Sequence, residues 1–202
     1  MRLLPLIGLL LTAVKIPAEA QPTGIEAGRA AKDSLFRYAS SSPIPTSARA
    51  GFTGLAYFAI DPRFRVVGEL QAYGRRQRLQ VPATGGESIS MERYGRFAAV
   101  WESQPFVLEV YRSLENGELV IMFSDATNGR QTYGGGRYVP VEMELGGMPV
   151  VDFNRAYQPY CAYNDAYSCP LPPAANRLSF AVLAGERTGG ADLAHGSSGA
   201  PP

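Results

Sequence analysis

The sequence predicts a mostly β domain: an antiparallel barrel or barrel-like sandwich with one short N-terminal helix and a long irregular Tyr/Pro-rich segment covering one end. Three observations carry that expectation. Short alternating or apolar runs recur roughly every eight to twelve residues from Phe52 onward, with turn chemistry between them. Only one stretch, Gly24 to Tyr38, has a helical period. The stretch from Tyr157 to Asn176 is dense in Tyr, Pro and Asn, with no sustained alternation.

In chain order, Arg2 and the apolar run Leu3 to Val14 precede Ala18-Glu19-Ala20, which has the form of a cleavable export signal. Residues 1–20 are therefore expected to be removed, giving an exported protein, periplasmic or secreted. The run is shorter than the ~20 residues a membrane span needs, and Lys15 ends it, so no integral span is expected in the mature protein. In the helix, Ala27, Ala31, Leu35 and Tyr38 fall on one side and Glu26, Arg29, Asp33 and Arg37 on the other. Ser40 to Pro45 stops it, because proline cannot continue a helix.

The strands expected next are 52–60, 64–73, 77–81, 94–102, 106–112, 119–124, 137–145, 149–153 and 178–184. Asp61-Pro62, Thr84-Gly85-Gly86, Glu115-Asn116-Gly117, Asn128-Gly129 and Gly146-Gly147 separate several of them, and Asn-Gly pairs accept the positive φ of tight hairpins. Residues 188–202 have almost no large apolar side chain and are expected to be disordered, leaving one domain over 24–187.

Composition narrows the chemistry. Lys plus Arg 19 against Asp plus Glu 18 supplies no basic face for nucleic acid, and loss of Arg2, Lys15 and Glu19 with the signal leaves the chain formally neutral. Arg outnumbers Lys heavily, through either a GC-rich genome or selection for bidentate anion contacts. The single histidine, His195, lies in the tail, where nothing holds an imidazole for catalysis. One histidine and two cysteines cannot build the usual zinc sites, and there is no GxSxG, GxxxxGK or GxGxxG, so neither metal nor cofactor is expected. Asp125-Ala126-Thr127-Asn128-Gly129 resembles a calcium loop only superficially, since Gly136 stands where a bidentate Glu is needed; it is expected to be a hairpin turn.

Six of the eleven tyrosines lie between Tyr133 and Tyr167. A ligand site for a small polar molecule, a sugar or peptide fragment, is therefore expected from Tyr133, Arg137, Asp152, Asn154, Tyr157, Tyr160, Asn164 and Asn176. A second reading is a histidine-free hydrolase or lyase, with Asp125 or Asp152 as base and Arg137 as charge stabiliser. A third keeps the tyrosines as packing and lets Asp152 and Asn154 bond local backbone. Cys161 and Cys169, eight apart in an exported chain, read most simply as a disulfide; a two-thiolate metal half-site or a nucleophilic thiol are the alternatives. Closing that loop would stabilise by roughly 2.5 kcal/mol in the chain-entropy model.

The segments FSDATNGRQTYGGGRY, DFNRAYQPYCAYNDAYSCPLPPAANRL and the closing AGE resemble domain-of-unknown-function family 1684, a bacterial and archaeal group. KDSLFRYASSSPIP and FTGLAYFAIDPRFR are similar to its N-terminal half, so the resemblance runs from about Lys32 to Glu186. It implies no assigned activity. Its hallmark positions fall here on Asp125, Gly129, Thr132, Tyr133 and Gly135–Tyr138, then on Asp152–Asn154, Tyr157, Pro159–Cys161, Tyr163 and Cys169–Pro170. They continue on Pro172, Pro173, Asn176, Arg177 and Glu186. Gln158 and Ala175 depart from it, standing where the family tends to carry Asn and Glu. If that Glu donates a proton in relatives, Ala175 removes it here.

Overall fold

A computed structural model describes residues 24–190. Helix α1 (Gly24–Tyr38) has the expected bounds, but it packs by the opposite face. Phe36 is buried while Leu35 and Tyr38 are exposed, because the domain offers α1 polar partners. Arg29 donates to the Phe58 and Asn154 carbonyls, Arg37 donates to the Phe52 carbonyl at 2.6 Å, and Asp33 accepts the Leu55 N–H at 2.9 Å. Lys32 reaches Glu186 at 2.5 Å. Fixed carbonyls and a buried carboxylate outweigh the small apolar area of two alanines and a leucine.

Nine strands follow: β1 (Leu55–Tyr57), β2 (Arg65–Val67), β3 (Glu69–Pro82), β4 (Ser88–Trp101), β5 (Gln104–Arg112), β6 (Leu119–Phe123), β7 (Arg137–Met143), β8 (Pro149–Asp152) and β9 (Glu186–Gly190). All pair antiparallel. β1 pairs with β9, and the other seven form a sheet of order β2-β8-β7-β6-β5-β4-β3. β2 and β3 stand at opposite edges of that sheet yet are separated in the chain only by Gly68. The sheet thus curls until its two edge strands meet end to end, with no ladder joining them side by side. The fold is barrel-like, and the closed-barrel alternative is not what forms. Gly68 permits the meeting: a Cβ there would stand 2.5 Å from the Ala98 carbonyl oxygen and the Phe97 ring.

Period-two alternation puts Phe97, Leu108, Val110, Ile121, Phe123, Val139 and Val151 in the principal core inside the curl. Their neighbours in sequence, Tyr111, Met122 and Tyr138, face outward but are also buried, with Val81, Met91, Cys161 and Cys169. The irregular Tyr/Pro-rich segment covers this outer face rather than one end of the fold.

Several expected strands change. Residues 52–60 shrink to β1, 64–73 divides at Gly68 into β2 and the start of β3, β3 runs on through 77–81, and 94–102 begins earlier, at Ser88. Residues 178–184 bury Leu178, Val182 and Ala184 but bend at Ser179 and Phe180 and make no ladder, and a side chain takes the Val182 and Ala184 carbonyls. β9 runs three residues beyond Arg187, where the sequence ends the folded region. The signal, His195 and the rest of the tail lie outside the described residues. No described helix is long and apolar enough to cross a membrane.

Candidate functional site

Past Ala72 the β3–β4 ladder breaks: Ala72 faces Gly95, and the next pair is Gln77 with Arg93. Tyr73 to Arg76 bulge out, and β4 gives its own extra residue, Tyr94, where its register with β5 slips between Arg93 and Gly95. Gly95 lets the two strands touch, since a Cβ there would run into the Gln71 carbonyl.

The paired bulges open a cleft of about 180 Å³ lined by Tyr73, Arg75, Gln77 and Arg93. Beneath it lies Glu109 of β5, buried, with both oxygens occupied. Arg93 donates to it twice at 2.8 Å, Arg96 donates at 2.9 Å, and the Tyr73 hydroxyl donates at 2.9 Å. Burial works against ionisation of Glu109, but these donors hold its pKa below the usual glutamate value. Arg75 is exposed and makes no ion pair among the described residues. Arg75, Arg93 and Arg96 against Glu109 give the cleft an excess of positive charge, with guanidinium N–H groups left over.

The residues expected from the sequence gather elsewhere, in separate networks. Arg137 and Asp125 meet at 2.6 Å, both side chains fully buried. The same guanidinium donates to the carbonyls of Val182 (2.8 Å), Ala184 (2.5 Å) and Glu186 (3.1 Å), standing in for a strand. Burial lowers the pKa of Arg137, and the Asp125 charge opposes that shift. Asp125 also accepts the Thr127 N–H at 2.6 Å, a local side-chain turn within the long connection from β6 to β7 rather than the hairpin turn expected here. A base role for Asp125 would require breaking that pair first.

Asp152 accepts from the Asn154 N–H at 3.0 Å and from its side-chain amide at 2.9 Å. Asn154 in turn pairs its amide with the Asp61 peptide in both directions, at 2.9 and 2.8 Å. Asn176 does the same between strands. β5 and β6 pair only at Tyr111–Val120 and Arg112–Leu119, then separate. The Asn176 amide fills the gap, accepting the Glu109 N–H at 2.7 Å and donating to the Glu109 and Met122 carbonyls. Asn164 donates to the Pro43 carbonyl at 2.8 Å.

Tyr157 meets Tyr138 edge-on with ring centroids 5.7 Å apart, and Tyr160 meets Phe36 and Tyr167. Burial pushes the Tyr157 phenol up to about 12. The Tyr133 N–H donates to the Gln158 side chain at 2.9 Å. Cys161 and Cys169 are adjacent, buried and unlinked in the structure. Among the described residues no group of three or more His, Cys, Asp or Glu is placed to hold a metal.

Sequence reasoning missed Tyr73, Arg75, Gln77, Arg93, Arg96 and Glu109. Their signal was the break in alternation at Tyr73-Gly74 followed by Arg75-Arg76, which reads as a gap between two strands and is a bulge within one. Glu186 and Lys32 escaped too: the Glu186 carboxylate, 1% exposed, also accepts the Gln158 N–H at 2.7 Å and the Tyr163 hydroxyl at 2.8 Å.

The sequence model of a family described as "Protein of unknown function (DUF1684)" matches residues 50–187. Among solved structures, the solution NMR structure of an uncharacterized protein from Haloarcula marismortui is similar at 35% identity, covering 81% of this chain and 92% of that one, with a TM-score of 0.64. No curated protein matches significantly. With more than half its length under the family model, the chain belongs to the DUF1684 family of proteins of unknown function.

Proposed function

We propose that this is an exported binding protein that takes a small anionic ligand, a phosphate or a carboxylate on a sugar-sized body, in the cleft of Tyr73, Arg75, Gln77 and Arg93. The observation carrying this reading is that Glu109 holds Arg93 at two points and Arg96 at one, which positions them, while Arg75 at the mouth has no ion-pair partner among the described residues. Pre-fixed guanidinium groups lose little freedom on meeting an anion and match its geometry. Size selects the ligand. Pockets for drug-sized molecules run from about 300 Å³ upward, so this cleft of about 180 Å³ suits a single charged group and its attachment.

Export rests on residues 1–20 and is tested by N-terminal sequencing of protein recovered outside the cytoplasm, which should begin at Gln21. Binding is tested by thermal unfolding with phosphate, glucuronate and uncharged glucose. A ligand at about ten times its Kd stabilises by ~1.4 kcal/mol. An anion should raise Tm while glucose does not, and Arg75→Ala should remove the shift while leaving the unliganded Tm unchanged. Equal shifts in wild type and Arg75→Ala would reject the cleft.

A further inference from the structure

Independently of the cleft, we propose that Cys161 and Cys169 are a dithiol modification site, oxidised to a disulfide by exchange with an external disulfide. The geometry is specific. Cys161 lies in a 3-10 turn (Tyr160–Ala162), and the chain then turns back through bonds from the Asn164 N–H to the Tyr160 carbonyl and from the Tyr167 N–H to the Asn164 carbonyl. That return places the Cys169 sulfur 3.2 Å from the Cys161 backbone nitrogen, whose N–H donates to it. Cys169 is anchored on its other side: its N–H donates to the Thr84 hydroxyl at 3.1 Å, and its carbonyl accepts the Thr84 N–H at 3.0 Å.

Both sulfurs are met by donors: the Thr84 hydroxyl and the Tyr133 phenol bear on Cys161, and the Cys161 N–H bears on Cys169. A hydrogen bond between the two thiols draws Cys161 down to about 7 and, with burial, pushes Cys169 up. Among the described residues no His, Asp or Glu joins the pair to complete a metal site.

One cysteine loses its proton and its thiolate attacks one sulfur of the oxidant R–S–S–R, and R–S⁻ leaves and takes up a proton. The other then loses its proton to solvent base and attacks the protein sulfur of the mixed disulfide, releasing the second R–S⁻, which is protonated in turn. The protein gives up two protons and two electrons, and the oxidant becomes two thiols. Both sulfurs are buried beneath the segment that caps the end of β3, where the Leu171 N–H meets the Pro82 carbonyl at 2.8 Å. Exchange therefore requires that segment to lift, and the bond is made readily during folding and exchanged slowly afterwards.

The test refolds the mature protein from denaturant with oxidised glutathione, then alkylates it in denaturant and reads intact mass. Wild type should take up no alkyl group and be lighter by two hydrogens. Cys161→Ser and Cys169→Ser should each retain one sulfur outside any intramolecular bond, found as one glutathione or one alkyl group. Two free thiols in refolded wild type would overturn the proposal. Neither serine variant needs to be stable for this reading, because the mass is read in denaturant.

Discussion

Arg137 on β7 and Asp125 at the end of β6 hold a 2.6 Å ion pair to which solvent has no access, and the same guanidinium closes the carbonyls of a segment 45 to 49 residues further on. A single side chain thus replaces a strand. Arg137→Met leaves Asp125 buried without its counter-charge and should cost about 3–5 kcal/mol in urea unfolding. Adding Asp125→Asn to that variant should cost less than the sum of the two single changes. Strict additivity would show that the two residues do not act as a pair.

Asn176 occupies the place where the β5–β6 ladder would continue, so its amide satisfies Glu109 and Met122 at once. Asn176→Ala strands those buried backbone groups and should destabilise by about 1–3 kcal/mol. Loss of hydrogen-exchange protection at the Glu109 amide is the local readout. Unchanged protection there would mean that the strands close the gap themselves.

Glu109 titrates below its ordinary value in the folded protein, so it contributes stability above the unfolded-state pKa and loses it as pH falls through the folded one. Wild type should therefore exceed Glu109→Gln in stability at neutral pH, with the gap narrowing below about pH 4.3. A gap that stays constant through that range would remove Glu109 as the source. Titration of other carboxylates affects both proteins alike.

Gly136 and Gly146 both have positive φ, +94° and +87°. They differ in surroundings: a Cβ on Gly136 would strike the Pro172 ring and stand 2.8 Å from the Phe123 carbonyl, whereas Gly146 faces open space. Gly146→Ala should cost only the backbone penalty of ~1–2 kcal/mol. Gly136→Ala should cost at least ~2 kcal/mol, since overpacking adds to it. Equal losses by chemical denaturation would contradict the contact with Pro172.

The parts of the fold written as periodicity were legible. The helix bounds, the alternation that builds both buried layers of the sheet and most strand positions followed from spacing alone. The orientation of α1 was not, because its partners are carbonyls and Glu186, more than a hundred residues away. Residues 178–184 alternate like a strand, but the Val182 and Ala184 carbonyls accept from Arg137, and sequence does not announce a guanidinium as a ladder. The Asn and Arg residues that looked like a ligand cup turned out to be engaged with backbone. The cleft escaped for the converse reason: Tyr73, Arg75 and Arg93 become neighbours only through two coincident register shifts.

The Lys32–Glu186 contact and the β1–β9 pairing give the domain an order of completion. α1 and β1 leave the ribosome first, but their partners are among the last described residues made. During synthesis α1 can meet only its near partners, Phe52, Leu55 and Phe58, and the chain stays unfinished until Glu186 has emerged. A nascent chain stalled even one residue short of Glu186 would lack both tethers at once. Such a protein reaches its working stability as a single late event rather than accumulating it along the way.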